Sequence, residues 1–181
     1  MHKPLILIGY RATGKTTLAK TLALRFGMEA VDSDVLIEQK AGKSIARIFA
    51  EEGEPTFRNW EAETIESVLK EANKGTGLIL ATGGGVVLRE STRNLLRKTG
   101  FVVWLKASPE SIFQRMAQDV ATASMRPGLT SLDARREITT LLKQRSPIYE
   151  ETAHLQIDTN SVPPEKIVDT ILENWKGCMH R

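Results

Sequence analysis

Apolar residues fall into short runs separated by longer stretches of helical spacing, and this alternation persists along the chain. Pro4–Ile8, Leu78–Ala81 and Phe101–Leu105 have the length and continuity expected of strands buried on both faces. Met28–Val31 and His154–Asp158 complete the strand set. Thr17–Phe26 places Leu18, Leu22 and Phe26 on one helical face and is stopped by Gly27. Val35–Lys40 and Ile45–Glu51 read as two short helices parted by Gly42, and Trp60–Ala72 as a longer one with Ile65, Val68 and Leu69 inward. Thr92–Thr99, a helix opened by Ser108-Pro109, Leu132–Tyr149 and Pro164–Trp175 follow. Residues from about 119 to 130 lack periodicity and contain Pro127-Gly128, which predicts a loop. Alternating strands and helices predict an α/β fold of three layers, α/β/α, around a five-stranded parallel sheet. Two inserts, roughly 33–61 and 117–131, follow strand ends, where doubly wound sheets bind ligands. With no repeat or linker, one domain over 1–181 is expected.

The segment between the first strand and the first helix carries the clearest chemistry. Gly9-Tyr10-Arg11-Ala12-Thr13-Gly14-Lys15-Thr16 fits G-x-x-x-x-G-K-[ST], and strand, glycine loop and helix N-terminus together aim backbone N–H groups at a polyphosphate. Ala12, Thr13, Gly14, Lys15, Thr16 and Thr17 are therefore the expected nucleotide contacts. Lys15 would reach the β- and γ-phosphates, and the Thr16 hydroxyl would ligate magnesium. The strand Leu78–Ala81 ends in Thr82 and three glycines and lacks the aspartate that often supports this metal. Asp32, at the end of the second strand, is the obvious substitute. Gly83-Gly84-Gly85 let backbone approach a ligand with no Cβ in the way, although a plain tight turn has the same composition. The alternative for Asp32 and Asp34 is that they simply cap the helix that starts near Val35.

Composition narrows the class. The 181 residues are 41% apolar, enough for a good core, and no apolar run reaches membrane-spanning length. A net charge of +3 without a basic stripe points to small anionic ligands rather than nucleic acid. The single cysteine, Cys178, suits a reducing cytoplasm, and the first strand begins too early for a signal peptide. His2, His154 and His180 form no cluster, and Trp60, Trp104 and Trp175 read as packing residues. Arg135 and Arg136 read as solvated charges.

Six segments together resemble the shikimate kinase family: Gly9–Thr17, Asp32-Ser33-Asp34, Phe57-Arg58-x-x-Glu61, Ala81-Thr82-Gly83-Gly84-Gly85, Arg126-Pro127 and Arg145-x-Pro147-x-Tyr149. They occur in the family's order and cover almost the whole chain. The resemblance implies a P-loop kinase that moves the γ-phosphoryl group of ATP to the 3-hydroxyl of shikimate, with Mg2+ as cofactor. It implies that Arg58 and Arg145 bind the substrate carboxylate, a role for which planar guanidinium forks are suited. It also implies that Asp34 accepts hydrogen bonds from substrate hydroxyls, and that Gly84 offers its N–H. Asp32 and Thr16 match the magnesium shell. Arg126 belongs to a mobile lid that closes over the phosphates, and Arg115 matches an arginine that stacks on adenine. Lys15, Asp34 and Arg126 are then the catalytic set. Glu61 is expected to orient Arg58. A monomer with no membrane or nucleic-acid partner is expected.

Three features depart from the family pattern. Ala12 stands where a glycine is usual, Gly128 where leucine is usual, and Ser124-Met125 is less basic than is typical. The rival expectations are a gluconate- or nucleotide-type kinase, which has no need of Arg58, Gly84 and Arg145, and a non-catalytic ATP-binding regulator.

Overall fold

A computed structural model describes residues 3–72, 77–118, 131–160 and 162–178. In chain order the elements are β1 (Leu5–Ile8), α1 (Lys15–Phe26), β2 (Glu29–Asp32), α2 (Ser33–Ala41), α3 (Ile45–Ala72), β3 (Leu78–Ala81), a 3-10 turn (Val86–Leu88), α4 (Glu90–Thr99), β4 (Phe101–Lys106), α5 (Pro109–Gln118), α6 (Ser131–Thr152), β5 (Leu155–Asp158) and α7 (Pro164–Cys178). The five strands form one sheet in the order β2-β3-β1-β4-β5, and every pairing is parallel. The expected α/β architecture is thus observed.

Strand alternation divides the core. Leu5, Leu7, Ile79 and Val103 point to one face and pack with Leu18, Leu22, Ile171 and Trp175 of α1 and α7. Ile6, Ile8, Leu80, Val102 and Trp104 point to the other and pack with Ile65, Leu69, Leu96 and Tyr149 of α3, α4 and α6. Both faces are covered, which is why β1, β3 and β4 are apolar along nearly their whole length. In register, Leu7 pairs with Ala81 and Asp32 also pairs with Ala81 from the other side. The C-terminal ends of β1, β2 and β3 are therefore neighbours, and they carry the glycine loop, the aspartate pair and the glycine run.

The helices run longer than the apolar periodicity predicts. The largest difference is α3, a single assignment over Ile45–Ala72 broken only at Gly53, whose φ of 81° and ψ of 170° leave the helical region. Glu54–Asn59, which shows no apolar period, continues as helix to Trp60. Pro55 sits at the second position after the break, where its missing N–H has no helical acceptor to lose. Through this break, α3 brings Glu54, Arg58 and Glu61 onto one face, at spacings of one turn. Among the described residues, no helix is long and apolar enough to cross a membrane.

Candidate active site

The loop after β1 folds around its own lysine. Lys15 Nζ donates to the carbonyls of Gly9 (2.9 Å) and Tyr10 (2.7 Å), and Thr13 Oγ1 donates to Tyr10 as well (2.8 Å). Gly9 has φ 142°, and a Cβ there would lie 2.5 Å from the Leu105 carbonyl oxygen, so only glycine passes. Lys15 is 8% exposed. Burial lowers its pKa from 10.5 to about 8, against the opposing pull of Asp34 and Asp32. Ala12 has φ 59°, a left-handed conformation that disfavours any residue with a Cβ. The departure from glycine at this position is thus a backbone matter as well as one of space near the phosphates.

Asp32 caps α2 and also bonds to Thr16. Its Oδ1 accepts the Asp34 N–H (3.0 Å) and caps α2, while its Oδ2 accepts the Thr16 hydroxyl (2.6 Å). Asp34 is not the cap; it lies in the first turn of α2, and its buried Oδ1 has no hydrogen-bond partner. Burial, then Asp32, then Glu61 raise its pKa from 3.8 to about 6, although Lys15 pulls it down. Glu61 is 3% exposed and its Oε1 is likewise unpartnered; burial pushes its pKa up against the attraction of Arg58. A Cβ on Gly83 would lie 2.6 Å from Asp34 Oδ1 and 2.9 Å from Glu61 Oε1. Both orphan oxygens therefore face the start of the glycine turn, whose Gly83 N–H is held by Ser33 Oγ (3.1 Å).

The guanidinium groups frame the rest of that turn. Arg58 Nη1 donates to Glu61 Oε2 (2.8 Å), and its Nε and Nη2 both reach Glu54 Oε1 (3.1 and 2.9 Å). The expected orienting role of Glu61 is thus matched by a direct bond, and Glu54 shares it. The Arg58 group lies against Gly85 so closely that a Cβ there would collide with Nη1. From the opposite side, Arg145 Nη1 (3.3 Å) and the Tyr149 hydroxyl both donate to the Gly84 carbonyl. Fixing that carbonyl fixes the rotation of the adjoining peptide planes. Tyr149 is fully buried and stacks on Trp104, with ring centroids 5.6 Å apart. Arg145 also lies over the Tyr10 ring at 5.9 Å.

A separate cavity of about 370 Å³ opens beside α1, lined by Thr13, Gly14, Thr17, Arg115, Thr159 and Asn160 among others. Arg115 donates to the Thr159 carbonyl (2.6 Å), the Thr159 hydroxyl (3.1 Å) and the Ala12 carbonyl (3.4 Å), so it ties the loop after β5 to the phosphate loop. The structure thus brings together Lys15, Thr16, Asp32, Asp34, Arg58, Gly84 and Arg145, with Arg115 at the neighbouring cavity. Arg126 and most of the expected lid, 119–130, lie outside the described residues. Ser33, Glu54 and Tyr10 had drawn no expectation. Ser33 was within reach from its place between two candidate aspartates; Tyr10 carries no sequence signal of its contacts.

Comparison with known proteins decides among P-loop kinases. The family model described as shikimate kinase matches residues 11–176. The chain belongs to the shikimate kinase family. It is 41% identical to a shikimate kinase of Rhodopirellula baltica over 169 residues, covering 93% of this chain and 88% of the relative. The shikimate kinase from Acinetobacter baumannii, solved in complex with shikimate, has a TM-score of 0.87 and 33% identity and covers 100% of this chain and 97% of its own. A gluconokinase from Sinorhizobium meliloti reaches a TM-score of 0.57 at 13% identity over 97% of this chain and 93% of its own, and shares the fold alone. Shikimate kinases are ATP-dependent, and membership makes this chain an ATP-dependent kinase enzyme.

Proposed function

We propose that this chain transfers the γ-phosphoryl group of ATP to the 3-hydroxyl of shikimate, giving shikimate 3-phosphate and ADP. The observation that carries the reading is the convergence of Arg58, Arg145 and the unpartnered Asp34 oxygen on Gly83–Gly85. A small ring with one carboxylate and several hydroxyls matches two cations and a free acceptor spaced around one turn.

In this reading Ala12, Thr13, Gly14, Lys15, Thr16 and Thr17 hold the phosphates, and Arg115 borders the adenosine end. Arg58 and Arg145 hold the carboxylate, and Gly84 contributes its N–H. Asp34 accepts the hydrogen bond of the attacking hydroxyl and can take its proton, since a carboxylate with pKa about 6 is ionised but basic at neutral pH. Lys15, held on the Gly9 and Tyr10 carbonyls and within the field of Asp34, would turn to the transferring group and neutralise its charge. Thr16 and Asp32 suit magnesium, which accepts hard oxygen ligands and keeps several waters. No cluster of three or more acidic, histidine or cysteine ligands occurs among the described residues, so nucleotide oxygens and water would complete the set. Bound magnesium would supply charge neutralisation on the phosphates. Segment 117–131 serves as the lid, with Arg126 as its phosphate contact, on a single kinase domain in which 33–61 forms the acceptor side. The protein works as a cytoplasmic monomer.

Steady-state kinetics of Arg58→Ala tests this. Loss of one partner of a buried ion pair weakens substrate binding by about 2–4 kcal/mol, seen as a large rise in shikimate KM. An unchanged shikimate KM removes Arg58 from the site, and turnover on gluconate or a nucleoside monophosphate in place of shikimate overturns the reading.

A further inference from the structure

The phosphate loop contains a second long cation, Arg11, at a position that the G-x-x-x-x-G-K-[ST] pattern leaves free. A phosphate cradle uses backbone N–H groups there, so nothing in nucleotide binding calls for an arginine side chain. The Arg11 side chain is half-buried, 34% exposed. Its guanidinium carbon lies 5.6 Å from the centroid of the Tyr10 ring, and that ring is 2% exposed. Its Nε is buried and has no hydrogen-bond partner. The ion pair available to it is loose: Nη2 stands 3.9 Å from Glu137 Oε1 on α6, too far for a hydrogen bond.

Two contacts set the Arg11 backbone and the Tyr10 ring beside the glycine turn. A Cβ on Gly84 would lie 3.3 Å from the Arg11 backbone nitrogen, so the tip of the phosphate loop abuts the glycine turn. Arg145, which donates to the Gly84 carbonyl, lies over the same Tyr10 ring at 5.9 Å. Tyr10 thus seats two guanidinium groups within about the range at which a ring face attracts a cation. A buried Nε–H with no acceptor is unfavourable, and a carboxylate coming within its reach would satisfy it.

We infer that Arg11 is a third cationic contact for the carboxylate of the acceptor, acting beside Arg58 and Arg145. This rests on the proposed function and extends it to a residue of the nucleotide loop. Acceptor recognition and phosphate binding then share one loop, and seating the acid presses on the backbone that holds Lys15.

The test uses Arg11→Met, Arg11→Lys and, in parallel, Arg58→Ala. Calorimetric titration with shikimate alone reports acceptor affinity, steady-state rates report both KM values, and the carboxamide of shikimate serves as a neutral analogue. Arg11→Met should weaken shikimate binding about tenfold or more, leave the ATP KM within about twofold, and reduce the preference for acid over amide, with Arg11→Lys intermediate. A loss confined to kcat or to the ATP KM would assign Arg11 to the transferring phosphate and overturn the inference. Unchanged shikimate affinity in Arg11→Met with weakened binding in Arg58→Ala also overturns it, and leaves the proposed function standing. If neither variant weakens shikimate binding, the proposed function itself falls.

Discussion

Replacing Asp34 with asparagine should abolish useful turnover and at the same time stabilise the fold. The Asp34 carboxyl has a folded-state pKa of about 6 against an ordinary 3.8, chiefly through burial. A raised carboxyl pKa means that the folded state binds the proton more tightly than the unfolded chain. Below about pH 4 both states are protonated and the group is neutral in its effect. As pH rises from about 4 to 6 the unfolded chain ionises first, and stability is lost. Above about pH 6 the loss is complete. A shift of about two units corresponds to about 3 kcal/mol, and partial exposure of Asp34 reduces this to about 1–3 kcal/mol. Asparagine keeps the shape and removes the ionisation, so Asp34→Asn should exceed the parent in unfolding free energy by that amount at pH 8, with the difference vanishing near pH 4. Urea unfolding at several pH values, followed by far-UV circular dichroism, measures it. A variant less stable than the parent at pH 8, or a difference that ignores pH, would refute the assignment of Asp34 as a strained, buried acceptor.

Two other substitutions probe neighbouring parts of the site. Ala12→Gly relieves a left-handed alanine, worth about 1–2 kcal/mol, and gives back about 0.5–1 kcal/mol through the freer unfolded chain. The net gain of about 0.5 kcal/mol should appear as a slightly higher Tm, and a lower Tm would contradict the strain at this position. Tyr149→Phe keeps the stacking on Trp104 but removes the hydroxyl that holds the Gly84 carbonyl. A stability loss of about 1–2 kcal/mol and a raised shikimate KM at constant ATP KM are expected, and an unchanged shikimate KM would sever Tyr149 from the acceptor site.

Much of this was legible from the chain because it is local. The glycine loop, its flanking strand and helix, and the Asp32–Asp34 pair at the end of β2 are each contained within a few residues, where pattern and chemistry coincide. The break at Gly53 was harder to see. The helical stretch after it, Glu54–Asn59, has one apolar residue, Phe57, which packs on Ile37 and Ile48, and a single anchor shows no period along the sequence; the Arg58 pairs with Glu54 and Glu61 add to it. The acceptor side was legible only through the family resemblance, since its bonds join Gly84 to Arg145 and Tyr149, 61 and 65 residues apart. No local pattern announces such contacts.

The structure marks the site in another currency that the sequence does not carry. Four buried side-chain polar atoms among the described residues lack hydrogen-bond partners: Arg11 Nε, Asp34 Oδ1, Glu61 Oε1 and Thr64 Oγ1. Asp34 Oδ1 and Glu61 Oε1 face Gly83, Arg11 belongs to the phosphate loop whose backbone abuts Gly84, and Thr64 is one turn along α3 from Glu61. A fold selected for stability alone would satisfy such groups or replace them, because each orphan costs about 1–3 kcal/mol. Their concentration at the end of β1, β2 and β3, where two carboxylates and a guanidinium confront one another across three glycines, is the pattern expected where a polar ligand completes the hydrogen bonding. Binding energy can then go into relieving these groups, which ties acceptor selectivity to the same unsatisfied atoms that lower the stability of the protein.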